Sequence, residues 1–512
     1  MTVMPGPATA PPVIEKREFW VLIGYAVALG VFGAFAGLVL IGVIKFGGKW
    51  YTDSHPGWFG GHWWWVAVTA AAGVVVGLLR RLTRLPEEIP GVFAELHAGH
   101  VDPALVSGTV AASMVSLIGG SSVGPEKALS SIGGGAGGWI SQRRGVGPED
   151  SQVNTLAGVA GTFAGVFSSP VVVVLLIMEV AHPGGQRFSK ALAASIVAGS
   201  VSFGIYFAIA GAVLLGVYQV PPYTFEDWQL LAAIPLGLFA ALVTTLSTGF
   251  LVLASRLFGR LDVPAIAKSA LGGVVFGIVG VALPLTMFSG DDQLHSVLDD
   301  AGTTLGLGLL VAVLIAKMLT YAVSQGSGFV GGPLFPALFL GGTAGVIVHQ
   351  VIPGVPLGLA FTCLLPAVLG TLAAAPFAMV LLTALMTRVG ALQTAPILIA
   401  VAAAFLAVQS MRYLLASRRR ARTAASADDS AQKLVRIKQL LLLLPNSTQE
   451  PARNRLVPPD PGEGEVPHAS RGRDAALKST ITTVPVPRVV RSELHSWSAV
   501  ATRTARCPRP AR

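Results

Sequence analysis

GSSVGPEKALSSIGGGAG, residues 120–137, decides the reading of this chain. Pro125, Glu126 and Lys127 stand side by side between long apolar runs. A charge inside apolar sequence is expensive and needs a reason. Shifting the chain by 208 residues places GFVGGPLFPALFLGGTAG, residues 328–345, beneath it without a gap. Seven of the 18 positions are identical: Gly120/Gly328, Gly124/Gly332, Pro125/Pro333, Gly133/Gly341, Gly134/Gly342, Ala136/Ala344 and Gly137/Gly345. Glycine and alanine are abundant here, so the informative part is the repeated Gly-Pro followed at a fixed distance by Gly-Gly-x-Ala-Gly. Two halves that each bring a broken helix to mid-membrane are a recurrent transporter design, often with inverted topology.

Composition supports a membrane setting. Of 512 residues, 53% are hydrophobic and 12% charged, the latter about half the share usual in soluble domains. Continuous apolar runs at Phe19–Ile44, Trp63–Leu79, Leu230–Ala254, Leu305–Ala322 and Ala395–Ala416 reach or approach a bilayer's thickness. A transmembrane barrel would show weaker alternating segments. The first run is too long for a cleavable signal and follows a charged, Pro-rich lead. Cys363 and Cys507 supply neither a disulfide framework nor a metal site.

The net charge of +10 does not indicate nucleic acid, because the basic residues cluster beside apolar runs and in the tail. Lys16–Arg17, Arg80–Arg81–Arg84, Arg256/Arg260/Lys268 and Arg418–Arg422 alternate with acidic loops at Glu226–Asp227, Asp291–Asp292 and Asp299–Asp300. The positive-inside rule then places both termini in the cytoplasm of a multi-pass protein of the cell membrane. Residues 1–18 are expected to be a cytoplasmic segment and 19–416 the transmembrane domain, with repeats at about 19–216 and 228–416. Residues 417–512 read as a disordered basic, Pro-rich cytoplasmic tail, in which Lys433–Leu444 can form a short amphipathic helix.

Each Gly-Pro element has the same physical design. Glycines allow an unwound approach, and a proline sits where a helix starts, since its missing N–H would have been unpaired there anyway. The amides that follow are free donors, and with the helix dipole they form an anion site without a full positive charge. The candidate anion-binding group is Gly124, Pro125, Glu126, Lys127 and Ala128 from the first element, with Gly332, Leu334 and Phe335 from the second. Lys127 reads as local neutralisation more than as an ion ligand. Glu126 is an acid at such a helix start: either a stabilising N-terminal charge or a titratable plug that competes with the permeant ion. Its apolar setting favours the plug. The glycines of 133–138 read as close helix packing through small residues.

These stretches resemble the CLC family of chloride channels and proton-coupled anion antiporters, over about residues 20–416. Gly124–Ala128 stands where that family has a Gly-Arg-Glu-Gly-Pro stretch with a gating glutamate, and Gly332–Pro336 stands at its Gly-x-Phe-x-Pro stretch. A divergent bacterial branch, labelled ion channel protein, shows the same Gly-Pro-Glu pattern. The resemblance implies two inverted halves, a homodimer with one pathway per subunit, and Glu126 as the gate. Pro125 replaces the family arginine. Pro86–Glu87–Glu88–Ile89–Pro90 is the match to a Gly-Ser-Gly-Ile-Pro stretch, with Glu87 in the serine's place; Glu87 and Glu88 also read as a solvated loop beside Arg80. In Ser168–Pro183, Val180 stands where antiporters of the family carry an inner proton glutamate, and Glu179 is its neighbour. Valine there resembles the channel members. Glu179 is a candidate station on a proton pathway or a structural acid at a helix end, and His182 a weaker substitute. Tyr413 matches a late tyrosine lining the inner anion site, or is an interfacial anchor. Lys317, Arg388 and Arg412 are expected to snorkel to the interface.

The expectation is an all-α polytopic membrane protein, CLC-like, whose broken helices meet at mid-membrane. It is a passive chloride or small-anion channel gated at Glu126, with no metal and no cofactor. The alternatives are a proton-coupled anion antiporter and a fluoride exporter. The apolar segments show no Ser/His pair, His-Glu cluster or cofactor loop that would support a membrane enzyme or receptor-like module.

Overall fold

The computed structural model describes residues 17–54, 63–299 and 305–442. Among them are sixteen α-helices and no strand longer than a single bridge. The chain forms two units, Met1–Ala431 and Gln432–Arg512. Within the first, eight helices lead through the first half and a second run of eight follows. They are α1 (Arg17–Ser54), α2 (Trp64–Leu82), α3 (Val92–Ala98), α4 (Pro103–Ile118), α5 (Glu126–Arg144), α6 (Pro148–Val166), α7 (Pro170–Ala181) and α8 (Gln186–Ala210). Then come α9 (Trp228–Arg260), α10 (Ala265–Ala282), α11 (Asp291–Asp299), α12 (Leu307–Ser327), α13 (Leu334–Val351), α14 (Leu357–Ala373), α15 (Pro376–Thr387) and α16 (Thr394–Leu442). Eight helices are long and apolar enough to cross a membrane, and α4, α7, α14 and α15 are shorter apolar helices. A membrane tolerates such broken elements only where protein buries their free backbone ends.

Local chemistry starts these helices. Asp102 Oδ1 accepts from Ala104 N at 2.9 Å and Ser169 Oγ from Val172 N at 3.3 Å, each followed by a proline at the first helical position. Helices α5, α6, α13 and α14 form the interior, while α1, α2, α8, α9 and α10 carry apolar residues on outward faces. The interior packs through glycine: a Cβ on Gly133 or Gly137 would run into the backbone of α6, and one on Gly345 would meet Phe361 of α14.

The two halves are joined by symmetric contacts. Gly124 N donates to Gly332 O at 2.8 Å, and Gly332 N donates back to Gly124 O at 2.7 Å, an antiparallel bridge between residues that the repeat makes equivalent. Val330 N donates to Ser116 Oγ at 3.0 Å, and Ser122 N to Ser324 Oγ at 3.2 Å, a pair of bonds that the shift of 208 exchanges. Reciprocal bonds between equivalent residues require a local two-fold axis, so the halves are inverted copies.

Two expectations change. Lys317 does not snorkel; its side chain is wholly buried, with Nζ on backbone carbonyls, whereas Arg388 and Arg412 are exposed. The tail is not disordered from 417: α16 continues as helix to Leu442. The rest of the tail, with the end of the 433–444 stretch and Cys507, lies outside the described residues.

Candidate functional site

The bridge brings the start of α5 against the start of α13. Intrahelical bonding begins at Leu129 N to Pro125 O in α5 and at Ala337 N to Pro333 O in α13. The amides of Glu126, Lys127 and Ala128, and of Leu334 and Phe335, therefore have no carbonyl within their own helix. One of them is taken across the interface: Phe335 N donates to Glu126 Oε1 at 2.9 Å. The carboxylate of the first half thus sits on the helix start of the second. Glu126 is fully buried, and its Oε2 has no hydrogen-bond partner. A Cβ on Gly124 or on Gly332 would overlap this carboxylate, so only glycine at both positions leaves room for it.

The geometry sorts the sequence candidates. Gly124, Pro125, Glu126, Ala128, Gly332, Leu334 and Phe335 come together, with Phe335 also stacked near Phe167 at 6.3 Å between ring centroids. Gly124 and Gly332 contribute space, not donors, because the bridge consumes both amides. Lys127 turns away: its ammonium pairs with Glu95 of α3, which also accepts from Ser130 Oγ at 3.2 Å. A buried cation needs such a partner, and nothing near Lys127 in the chain singles out Glu95, 32 residues away on α3. Tyr413 is 75% exposed on α16, so the structure does not bring it to this buried locus. The tyrosine found there is Tyr321 of α12, which lines with Pro333 and Pro336 a void of about 10 Å³, roughly one water in size.

Glu179 spans the halves as a second carboxylate. Its two oxygens accept from Phe377 N at 2.9 Å and Ala378 N at 2.8 Å, capping α15. Beside it, the Val180 carbonyl meets Nδ1 of His182 at 3.1 Å and of His97 at 3.3 Å, at a cavity of about 150 Å³ that Arg187 and Gln152 also line. Glu87 and Glu88 are exposed, and Arg80 binds the Pro86 and Glu87 carbonyls at 2.9 and 2.7 Å together with Gly328 O at 3.0 Å. Among the described residues no group of three or more metal-ligating side chains occurs.

Two inverted halves meeting through broken helices, with free amides buried at the meeting point, define a membrane transporter of the broken-helix class. A family model described as "Voltage gated chloride channel" matches residues 72–409, and the chain belongs to that family, one of anion transport. The fold is similar to that of "a slow cyanobacterial Cl-/H+ antiporter", at TM-score 0.65 and 19% identity, covering 78% of this chain and 95% of that one. It is also similar to "a CLC-type fluoride/proton antiporter", at TM-score 0.63 and 17% identity, covering 78% and 96%. In sequence it resembles the "Putative ion-transport protein YfeO" of Salmonella choleraesuis (strain SC-B67), 26% identical over 307 residues, 58% of this chain and 72% of the relative. The protein of the same name in Escherichia fergusonii is 25% identical over 353 residues, 66% of this chain and 81% of the relative.

Proposed function

We propose that the protein passes chloride or a similar small anion along a path between the two Gly-Pro elements, and that Glu126 gates it. One observation carries this reading: the Glu126 carboxylate accepts the Phe335 amide at the start of α13, where a free helix end would hold an anion. A carboxylate there competes with the permeant ion for the same donors. Protonation removes the charge that holds it and leaves the donors to the ion. Amide donors suit transport because they bind weakly enough to release.

The passive channel is the favoured form. Val180 offers no proton at the place where the resemblance expects an inner glutamate, and both oxygens of Glu179 are engaged in capping α15. The second reading is proton-coupled antiport of chloride or fluoride, which the imidazoles of His97 and His182 at the Val180 carbonyl favour. On either reading the protein works in the cell membrane with both termini cytoplasmic, as a homodimer with one path per subunit and a transmembrane domain near 19–416.

Anion flux through purified protein in liposomes tests the gate. Wild-type flux is expected to rise as pH falls, and Glu126→Gln to conduct with that dependence lost. Unchanged flux with an unchanged pH response refutes the gate. Uphill proton movement driven by a chloride gradient replaces the channel with the antiporter.

A further inference from the structure

Two imidazoles turn to one carbonyl at the end of α7. Nδ1 of His182 meets Val180 O at 3.1 Å, and Nδ1 of His97 meets the same oxygen at 3.3 Å. A carbonyl oxygen only accepts, so each ring carries a proton on Nδ1. Nε2 is then the remaining polar atom of each ring. Both rings line the cavity of about 150 Å³, which continues to Gln152 of α6 and Arg187 of α8. About 10–15 Å³ holds one water, so there is room for a tetrahedral oxyanion with waters beside it. The cavity shares no residue with the Glu126 site.

The donors here exceed the acids. Among the described residues that line the cavity there is no carboxylate. Around it, Asp150 is paired with Lys190 at 2.6 Å, Glu95 is paired with Lys127, and Glu179 gives both oxygens to α15. Glu149 stands 3.9 Å from Arg187 Nε, and His100 is exposed beyond α3. Arg187 Nη1 donates to Gln152 Oε1 at 3.0 Å. That bond leaves most of the guanidinium N–H groups, and it leaves Gln152 its NH₂ to offer.

The spacing of the rings selects the ligand. Their centroids are 6.5 Å apart and their planes are inclined by 67°. With each Nδ1 on the carbonyl, Nε2 lies across its ring, and the two stand too wide for one metal ion. Bonds of about 2.0–2.1 Å would bring two ligating nitrogens within roughly 4 Å of each other. An oxyanion that takes a bond of about 2.9 Å on each of two oxygens spans roughly 8 Å.

We infer that this cavity binds a phosphate group, held by Arg187, by the Gln152 NH₂ and by Nε2 of His97 and His182. The inference holds whichever ion passes Glu126. Hydrogenphosphate suits both states of the rings. Its P–OH donates to a neutral Nε2, and its charged oxygens accept from Nε2–H once a ring takes a second proton, which imidazole does between about pH 5 and 8. Sulfate has no O–H and stays doubly charged over that range, so it suits the charged rings alone.

Calorimetric titration of the full-length, detergent-solubilised protein with inorganic phosphate tests the site. One saturable site per chain is expected at neutral pH, and Arg187→Gln is expected to weaken it about tenfold or more. His97→Gln combined with His182→Asn is expected to weaken it as well; asparagine tolerates the left-handed backbone of His182, φ +45°. Sulfate is expected to bind about tenfold or more tighter at about pH 5.5 than at neutral pH, and to lose that gain in the histidine double variant. Absent phosphate binding overturns the inference, as does binding that both variants leave unchanged. Zinc taken up in place of phosphate, and lost with the two histidines, overturns it too. If the variants do not fold, wild-type sulfate binding that is equal at the two pH values overturns it alone. Phosphatidate in nanodiscs separates the sources: competition with inorganic phosphate supports the site with a lipid headgroup as its ligand, and lack of competition supports it with free phosphate.

Discussion

From Ser116 to Gly124 the first Gly-Pro element makes almost the same backbone contacts as the second makes from Ser324 to Gly332. Ser121 N donates to Ser116 O at 3.1 Å, and Phe329 N to Ser324 O at 3.0 Å. Gly120 and Gly328 both take left-handed backbone, at φ +82° and +100°. Both bridging glycines donate and accept once. Two residues further on, the likeness ends. The first element presents Glu126 and the second presents Leu334, so the first supplies a carboxylate and the second supplies the amides that receive it. Symmetric backbone builds the seat, and an asymmetric side chain fills it. A symmetric pair of carboxylates would repel each other across the axis and leave no donors for an ion.

Crowding the seat is the strongest way to break this comparison. Gly124→Ala and Gly332→Ala each put a methyl group where the Glu126 carboxylate lies. Eviction removes a charged hydrogen bond of roughly 1.5–3 kcal/mol, so flux at a pH where wild type is closed should rise about tenfold or more. The two variants are expected to behave alike despite their different chemical neighbours. On a Glu126→Ala background the carboxylate overlap is gone and only the Cβ of residue 126, 3.0 Å away, still crowds the methyl group, so Gly332→Ala should change flux far less. A Gly332→Ala protein with wild-type pH dependence would sink the shared-seat picture.

The next position sharpens the asymmetry. Lys127 and Phe335 are equivalent in the repeat, yet Phe335 gives its amide to the site and Lys127 gives its side chain to Glu95. Lys127→Met leaves Glu95 buried and unpaired, at a cost of about 3–5 kcal/mol in stability, while Glu95→Gln with Lys127→Met should recover most of it. Thermal unfolding of the detergent-solubilised protein measures both. A single Lys127→Met variant as stable as wild type would mean that the pair does not fix α3 against α5.

What the chain discloses by itself follows the same division. The apolar runs and the shift of 208 were sufficient for the inverted broken-helix fold, because Gly-Pro punctuation and glycine packing are local signals that recur in both halves. Glu126 could be singled out because a charge at a helix start in apolar sequence stands out. The contacts between elements distant in the chain left no local trace: that Gly124 and Gly332 consume each other's amides, that Glu179 caps α15, or, within the first half, that Lys127 has Glu95 as its partner. Lys317 misled for a related reason. Four methylenes and an ammonium fit a snorkelling residue in sequence, and only the fold reveals a strap of carbonyls that holds the charge inside.

The smallest expected effect concerns the part of the comparison that is most symmetric. Ser116 Oγ receives Val330 N at 3.0 Å and Ser324 Oγ receives Ser122 N at 3.2 Å, so each serine satisfies a buried amide of the opposite half. Removing either hydroxyl leaves that amide unpaired, for about 1–2 kcal/mol. Ser116→Ala is expected to cost slightly more, since its bond is shorter and its hydroxyl also donates to Ala112 O at 2.7 Å. Both bonds brace one bridge, so the double variant should lose less than the sum of the singles. Neither change touches Glu126, and the pH midpoint of flux should stay in place. Additive losses in thermal unfolding would show instead that the two serines act as separate fastenings, and that the axis is a likeness of shape without mechanical coupling between the halves.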